Sequence, residues 1–205
     1  MAARPLGSAG CRRAEYRGAL GKGNHLWVRQ PDSRADAQLV TFNGSSFDLP
    51  VLRYRAMVCG VAAPGLALRP YFNRYTEDAI DLCDVLASFS PQNKASLHEL
   101  CRVMGLAGKP DAIGGADVER YVREGRIAEV AAYCETDVVN TYRVWLRYEL
   151  FRGRLSENGL RASEANLSDY IRSHSNTKPH LTHVQEQERQ SSLAAQIFIP
   201  NSPGT

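Results

Sequence analysis

The segment Gln38-Leu39-Val40-Thr41-Phe42 is the first stretch of this chain that can form a β-strand, and it arrives abruptly. Residues 1–38 contain no Ile, one Val (Val28) and no alternating apolar run. A strand there has no basis in β-propensity or in period. The same residues carry seven Lys or Arg against three acids, although the whole chain has a net charge of only +3. Residues 39–153 hold thirteen basic and fourteen acidic side chains, and residues 154–205 five of each. A general nucleic-acid coat would place its excess on the folded part. The basic segment 1–37 therefore reads either as an arm touching phosphates or, as its composition favours, as a disordered or wrongly translated leader.

The chain has 205 residues, 43% of them hydrophobic and 23% charged, which suits one core with tails. No run approaches the ~20 apolar residues that span a bilayer. No apolar stretch follows Met1-Ala2-Ala3-Arg4-Pro5, so a secretory signal is not expected. Cys11, Cys59, Cys83, Cys101 and Cys134 show no C-x-x-C spacing. An odd count of that kind fits a reduced, cytoplasmic chain.

Gln38–Phe42 is expected to be one buried strand ending at the turn signal Asn43-Gly44. Asp48 is a suitable N-cap for a helix with Pro50 in its first turn and an apolar stripe of Leu49, Leu52, Ala56 and Cys59, stopped by Gly60. Turn residues mark 62–76 as a loop. Residues 79–89 read as a short helix with Asp81 and Asp84 near its start. Ser96 and Glu99 form a capping-box pattern for a helix ending at Gly105. Asp117 is expected to cap a further helix that stops at Gly125. A long helix over about 126–152 follows, with Val130, Tyr133, Asp137, Thr141, Val144, Tyr148 and Phe151 along one side. Residues 154–183 read as a weaker helical extension and 184–205 as a disordered tail. No internal repeat is present.

Two clusters could carry chemistry. In Phe42-Asn43-Gly44-Ser45-Ser46-Phe47-Asp48, an amide, an aromatic and a carboxylate sit just past a strand end, where open α/β sheets bind ligands. Taken alone, Phe47 in the core and Asp48 as a mere helix cap is the simpler reading. In Tyr133-Cys134-Glu135-Thr136-Asp137, a phenol and a carboxylate lie one turn apart on one helix face. A Tyr–Asp hydrogen bond in a polar corner would explain that pair equally well.

Together, Asn-x-x-x-Phe-Asp after a strand and Tyr-x-x-x-Asp on a later helix resemble the second and third motifs of the DEDDy 3′–5′ exonucleases. Residues 39–57, 80–89, 96–105, 108–110 and 133–153, with the stretch to Lys178-Pro179-His180-Leu181, look like the bacterial predicted 3′–5′ exonucleases related to the proofreading domain of family-B DNA polymerases. About residues 39–183 are covered, with the exonuclease-like domain over 38–153. The resemblance implies an α/β, ribonuclease-H-like fold. It also implies hydrolysis from the 3′ end of a single-stranded nucleic acid, DNA favoured over RNA, by two Mg²⁺ or Mn²⁺ ions about 3.5–4 Å apart. By motif position, Asp48 and Asp137 would bind metal and Tyr133 would orient the attacking water. A phenol with a pKa near ~10 is a poor free base at neutral pH. Asn43 and Phe47 would contact the terminal nucleotide, Phe47 by stacking on its base.

The family's first motif, Asp-x-Glu on the first strand, supplies two further acids. The acids before Asp48 are Glu15, Asp32 and Asp36, and none has that spacing. The expectation is a domain incomplete at its N-terminus, by truncation or frame shift, that cuts poorly or not at all. A degenerate, catalytically inactive member that binds nucleic acid or a partner is the alternative, and an unfolded fragment a third. Other candidates are weaker. Gly108-Lys109 is followed by Pro110 where a phosphate loop needs Ser or Thr, and Gly21-Lys22-Gly23 is too short for a nucleotide signature. His180 and His183 are expected to be solvated. Cys83, Cys101 and Cys134 are expected as small core residues, with Trp145, Tyr148 and Phe151 also in the core. Arg120, Arg123 and Arg126, with Lys109, could line a phosphate track, but a solvated helix face is the simpler reading.

Overall fold

The computed structural model describes residues 38–68, 71, 77–108, 117–182, 184 and 186. The basic leader, Lys109, Pro110, His183 and the tail beyond 186 lie outside them. Strand β1 (Leu39–Thr41) is followed by helices α1 (Asp48–Val58) and α2 (Pro64–Leu68) and then by strand β2 (Ala79–Asp81). Helices α3 (Leu82–Leu86), α4 (Leu97–Val103), α5 (Val118–Arg123), α6 (Ile127–Phe151) and α7 (Glu157–Ser173) complete the order. The two strands pair in parallel, Leu39 opposite Ala79, Val40 opposite Ile80 and Thr41 opposite Asp81. Parallel neighbours need a long crossover, and α1 and α2 lie in it. Helix α6 packs against β1, α3, α4, α5 and α7, so it is the central element.

Residues 79–89 are not one helix. Ala79–Asp81 form β2, and Asp81 then caps α3 by accepting the Cys83 N–H at 3.1 Å. Three residues are too few to show a strand period, and their extended form comes from pairing with β1 rather than from local pattern. β1 itself is half-buried rather than buried, with a strand on one edge among the described residues.

At α1, Phe47 takes the N-cap position and Asp48 is the first helical residue. Of the expected stripe, Leu49 is buried, Ala56 and Cys59 are half-buried, and Leu52 is 41% exposed. The expected loop over 62–76 contains α2, begun by Pro64, whose fixed φ suits a first helical position. The capping box holds. Ser96 Oγ accepts the Glu99 N–H at 3.2 Å, and a Glu99 carboxylate oxygen accepts the Ser96 N–H at 2.8 Å. Asp117 precedes α5, but its carboxylate binds Arg120 at 2.9 Å and caps no backbone N–H.

The inward face of α6 is broader than expected because helices surround it. Thr136, Val139, Asn140, Arg143, Val144, Leu146 and Glu149 are buried, while Phe151 is 84% exposed instead of in the core. One core cluster gathers Ile80, Leu82, Leu97, Cys101, Leu106 and Val144, with Trp145 and Tyr148 packed on it. A second joins Ala107, Val139, Ile171, Leu181 and Val184. Polar ties cross the helices. Asn140 Nδ2 donates to the Gly108 carbonyl at 2.9 Å, and Glu164 on α7 accepts from Arg143 and Arg147 on α6, each at 3.0 Å. Among the described residues, no helix is long and apolar enough to cross a membrane.

Candidate functional site

Phe42 leaves β1, and Asn43 adopts a left-handed backbone with φ 63°, a conformation Asn tolerates better than most residues. Its carbonyl accepts the Ser46 N–H at 3.2 Å and the Phe47 N–H at 3.1 Å, which folds the chain back toward α1. Gly44 is needed for a different reason than a left-handed turn. A Cβ there would lie 2.5 Å from Thr41 Cβ.

Beneath this turn stands Asp81, placed opposite Thr41 by the β1–β2 register. One carboxylate oxygen accepts the Asn43 N–H at 2.7 Å, and the other accepts the Ser45 N–H at 2.9 Å and the Ser45 hydroxyl at 2.6 Å. Ser45 Oγ is also 2.9 Å from a carboxylate oxygen of buried Asp84, whose other oxygen holds Lys94 Nζ at 2.8 Å. The bond to Asp84 holds the Lys94 ammonium above its usual range. Burial pushes the Cys83 thiol up. In the sequence, Asp81 and Asp84 stand as carboxylates near a helix start with no assigned part in the site. Asp81 directly after the apolar pair Ala79-Ile80, with Asp84 three residues on, is the local signal, because the loop partners of Asp81 are 36 to 38 positions away.

The turn delivers Phe47, 62% exposed, and Asp48, also exposed, at the start of α1. On α6, Tyr133 and Asp137 are half-buried one turn apart. Cys134 reports on their relation to Asp48. Its thiol is pushed up first by partial burial and then by the carboxylates of Asp137 and Asp48. The two acids, far apart in sequence, thus bear on one side chain. Cys134 is itself exposed, not a core residue as expected, because it sits on the outer face of α6. Carboxylate oxygens are the donors that hard cations such as Mg²⁺ prefer, so Asp48 and Asp137 fit such an ion in type. Among the described residues, no group of three or more His, Cys, Asp or Glu could hold a metal.

The remaining candidates resolve into structural roles. Arg120, Arg123 and Arg126 are bonded to Asp117, Glu119, Glu124 and Glu129 on their own surface, as a solvated face requires. His180 is not merely solvated. With Lys178 it grips Glu135 on α6, at 2.8 Å for the imidazole. Burial pushes the Glu135 carboxyl up, but these two bonds outweigh it and leave it below the usual range.

A small parallel sheet flanked by helices, with acids gathered where a strand gives way to a helix, is compatible with an α/β exonuclease-like fold. A family model described as a predicted 3′–5′ exonuclease related to the exonuclease domain of PolB matches residues 30–188. The chain belongs to that family, and membership implies a nucleic-acid substrate. No curated protein and no solved structure matches it.

Proposed function

We propose that this chain is a ribonuclease-H-like 3′–5′ exonuclease domain of the DEDDy class, bacterial in type and cytoplasmic, whose cutting is impaired in this polypeptide. The supporting observation is the family match over residues 30–188, within which Phe47 and Asp48 stand exposed at the start of α1 and Tyr133 and Asp137 lie one turn apart on α6. In this reading Asp48 and Asp137 hold Mg²⁺ or Mn²⁺. Asn43 hydrogen-bonds the terminal nucleotide, and exposed Phe47 stacks on its base. Tyr133, one turn before Asp137, orients the attacking water as a hydrogen-bond partner rather than as a base. The divalent ions, when bound, would supply the polarised water and the charge neutralisation at the leaving 3′-oxygen.

Impairment follows from charge. Two divalent ions facing two carboxylates are poorly compensated, and each ligand lost weakens metal binding steeply. The absence of a third donor beside the pair among the described residues favours a second reading, a domain that binds single strands without cutting them. Both readings meet in one experiment. A 5′-labelled single-stranded DNA is incubated with the chain and Mn²⁺, with Asp137→Ala as control. The expected result is slow, ladder-like loss from the 3′ end that vanishes in the variant. Retention of the strand without cleavage would establish the binding reading, and failure to bind or cut would refute both.

A further inference from the structure

We propose that Asp81 is a positioning residue for the site, acting through the segment Asn43–Asp48; its functional consequence rests on the nuclease reading above. Asp81 is 8% exposed, so its charge requires internal partners. It has four. One, the Cys83 N–H at 3.1 Å, is all that capping α3 needs. The other three are the Asn43 N–H, the Ser45 N–H and the Ser45 hydroxyl, 36 to 38 positions earlier in the chain.

Those three bonds fix what local sequence leaves open. Asn43 sits in a left-handed conformation that costs a non-glycine residue energy and persists where surrounding groups hold it. Its N–H is held by Asp81 and its carbonyl by the Ser46 and Phe47 N–H groups, so both of its peptide flanks are fixed. From that point the chain runs directly to Phe47 and Asp48. The directions of Asn43, Phe47 and Asp48 therefore depend on one carboxylate that points into the loop. Asp84 lies 2.9 Å from the same hydroxyl, and Lys94 holds the other oxygen of Asp84.

The test is Asp81→Asn in the full chain, which keeps the shape but turns one acceptor oxygen into an NH₂ facing N–H donors. Amide hydrogen exchange by NMR and affinity for a 5′-labelled single-stranded DNA are measured side by side. Leaving a buried donor unsatisfied predicts that the Asn43 and Ser45 amides exchange ~10-fold faster or more, while amides of α4 and α6 hold their rates. The strand should bind ~10-fold more weakly, as loss of one charge-assisted contact set would give. Unchanged exchange at Asn43 and Ser45 would overturn the proposal, and so would equal acceleration in every helix, which marks an ordinary core residue. Local acceleration with unchanged DNA affinity would overturn the positioning role. If Asp81→Asn shows no cooperative melt, Ser45→Ala replaces it. That variant removes only the hydroxyl, and it should still accelerate the Asn43 and Ser45 amides selectively; no local effect overturns the proposal. A wild-type chain that binds no DNA would refute the nuclease reading, while the exchange data would still support or refute the hold of Asp81 on the loop.

Discussion

Gly44→Ala is the smallest change that probes how the strand end is built. A Cβ at position 44 would lie 2.5 Å from Thr41 Cβ, 2.6 Å from its Oγ1 and 2.7 Å from its Cγ2. Comfortable carbon contacts are about 3.5–4.0 Å, so the two residues must separate by about 1 Å. Thr41 cannot turn aside, because its Cβ is bonded to the β1 backbone and its χ1 is stiff. The loop backbone must move instead, and it is tied to Asp81 on either side, at Asn43 and Ser45. Overpacking of this kind costs ~1–3 kcal/mol. At ~2 kcal/mol, and ~2–4 °C per kcal/mol for a domain of this size, Tm should fall by about 4–8 °C. Thermal melting followed by circular dichroism measures it. Adding Thr41→Ala deletes Oγ1 and Cγ2 but leaves the 2.5 Å Cβ contact, so the double variant should recover only part of the loss. A Gly44→Ala melt within about 1 °C of wild type, or full rescue by Thr41→Ala, would refute the reasoning.

Two further perturbations address other levels of the structure. Ser96→Ala removes one half of the capping box on α4 and should cost ~1 kcal/mol, whereas Ser96→Asp, which restores an acceptor, should cost little; urea midpoints decide. Burial pushes the Cys101 thiol from 9.0 up to about 11. The unfolded chain then gives up this proton at lower pH than the folded one, so the contribution is complete below pH 9.0 and is lost between 9.0 and about 11. Cys101→Ala should flatten the decline of the urea midpoint over that interval; an identical slope in both proteins would show that the thiol takes no part.

What the sequence reveals and what it hides divide along the reach of the interactions. The capping box at Ser96 and Glu99 is closed within four residues, so its chemistry is complete in the local sequence. Helix α6 was legible to within a residue or so at each end because 25 residues repeat the helical period many times. Its inward face was less so. Which side is buried depends on five neighbouring elements, and Phe151 met none of them closely enough to be covered. Strand β2 exists through its register with β1, which three residues cannot announce. The spacing of Asn43, Phe47, Asp48, Tyr133 and Asp137 could be read as a motif pair. That Asp81 bonds Asn43 and Ser45 in the loop leading to Phe47 and Asp48 is visible only in the fold.

Asp48 and Asp137 reach the candidate site by different routes, and the difference decides how each should be tested. Asp48 lies in the first turn of α1, where the exposed N–H groups and the macrodipole favour a carboxylate by ~0.3–1 kcal/mol with no ion present. It therefore has a structural reason to be acidic, and replacing it weakens the helix that carries it. Asp137 lies in the interior of α6, beyond the reach of the helix ends, where no such gain exists. There it is half-buried, one turn after Tyr133. Burial first, and then the carboxylates of Asp137 and Asp48, push the Cys134 thiol up. Loss of cutting in Asp137→Ala therefore cannot be assigned to a damaged helix start, whereas the same loss in Asp48→Ala could.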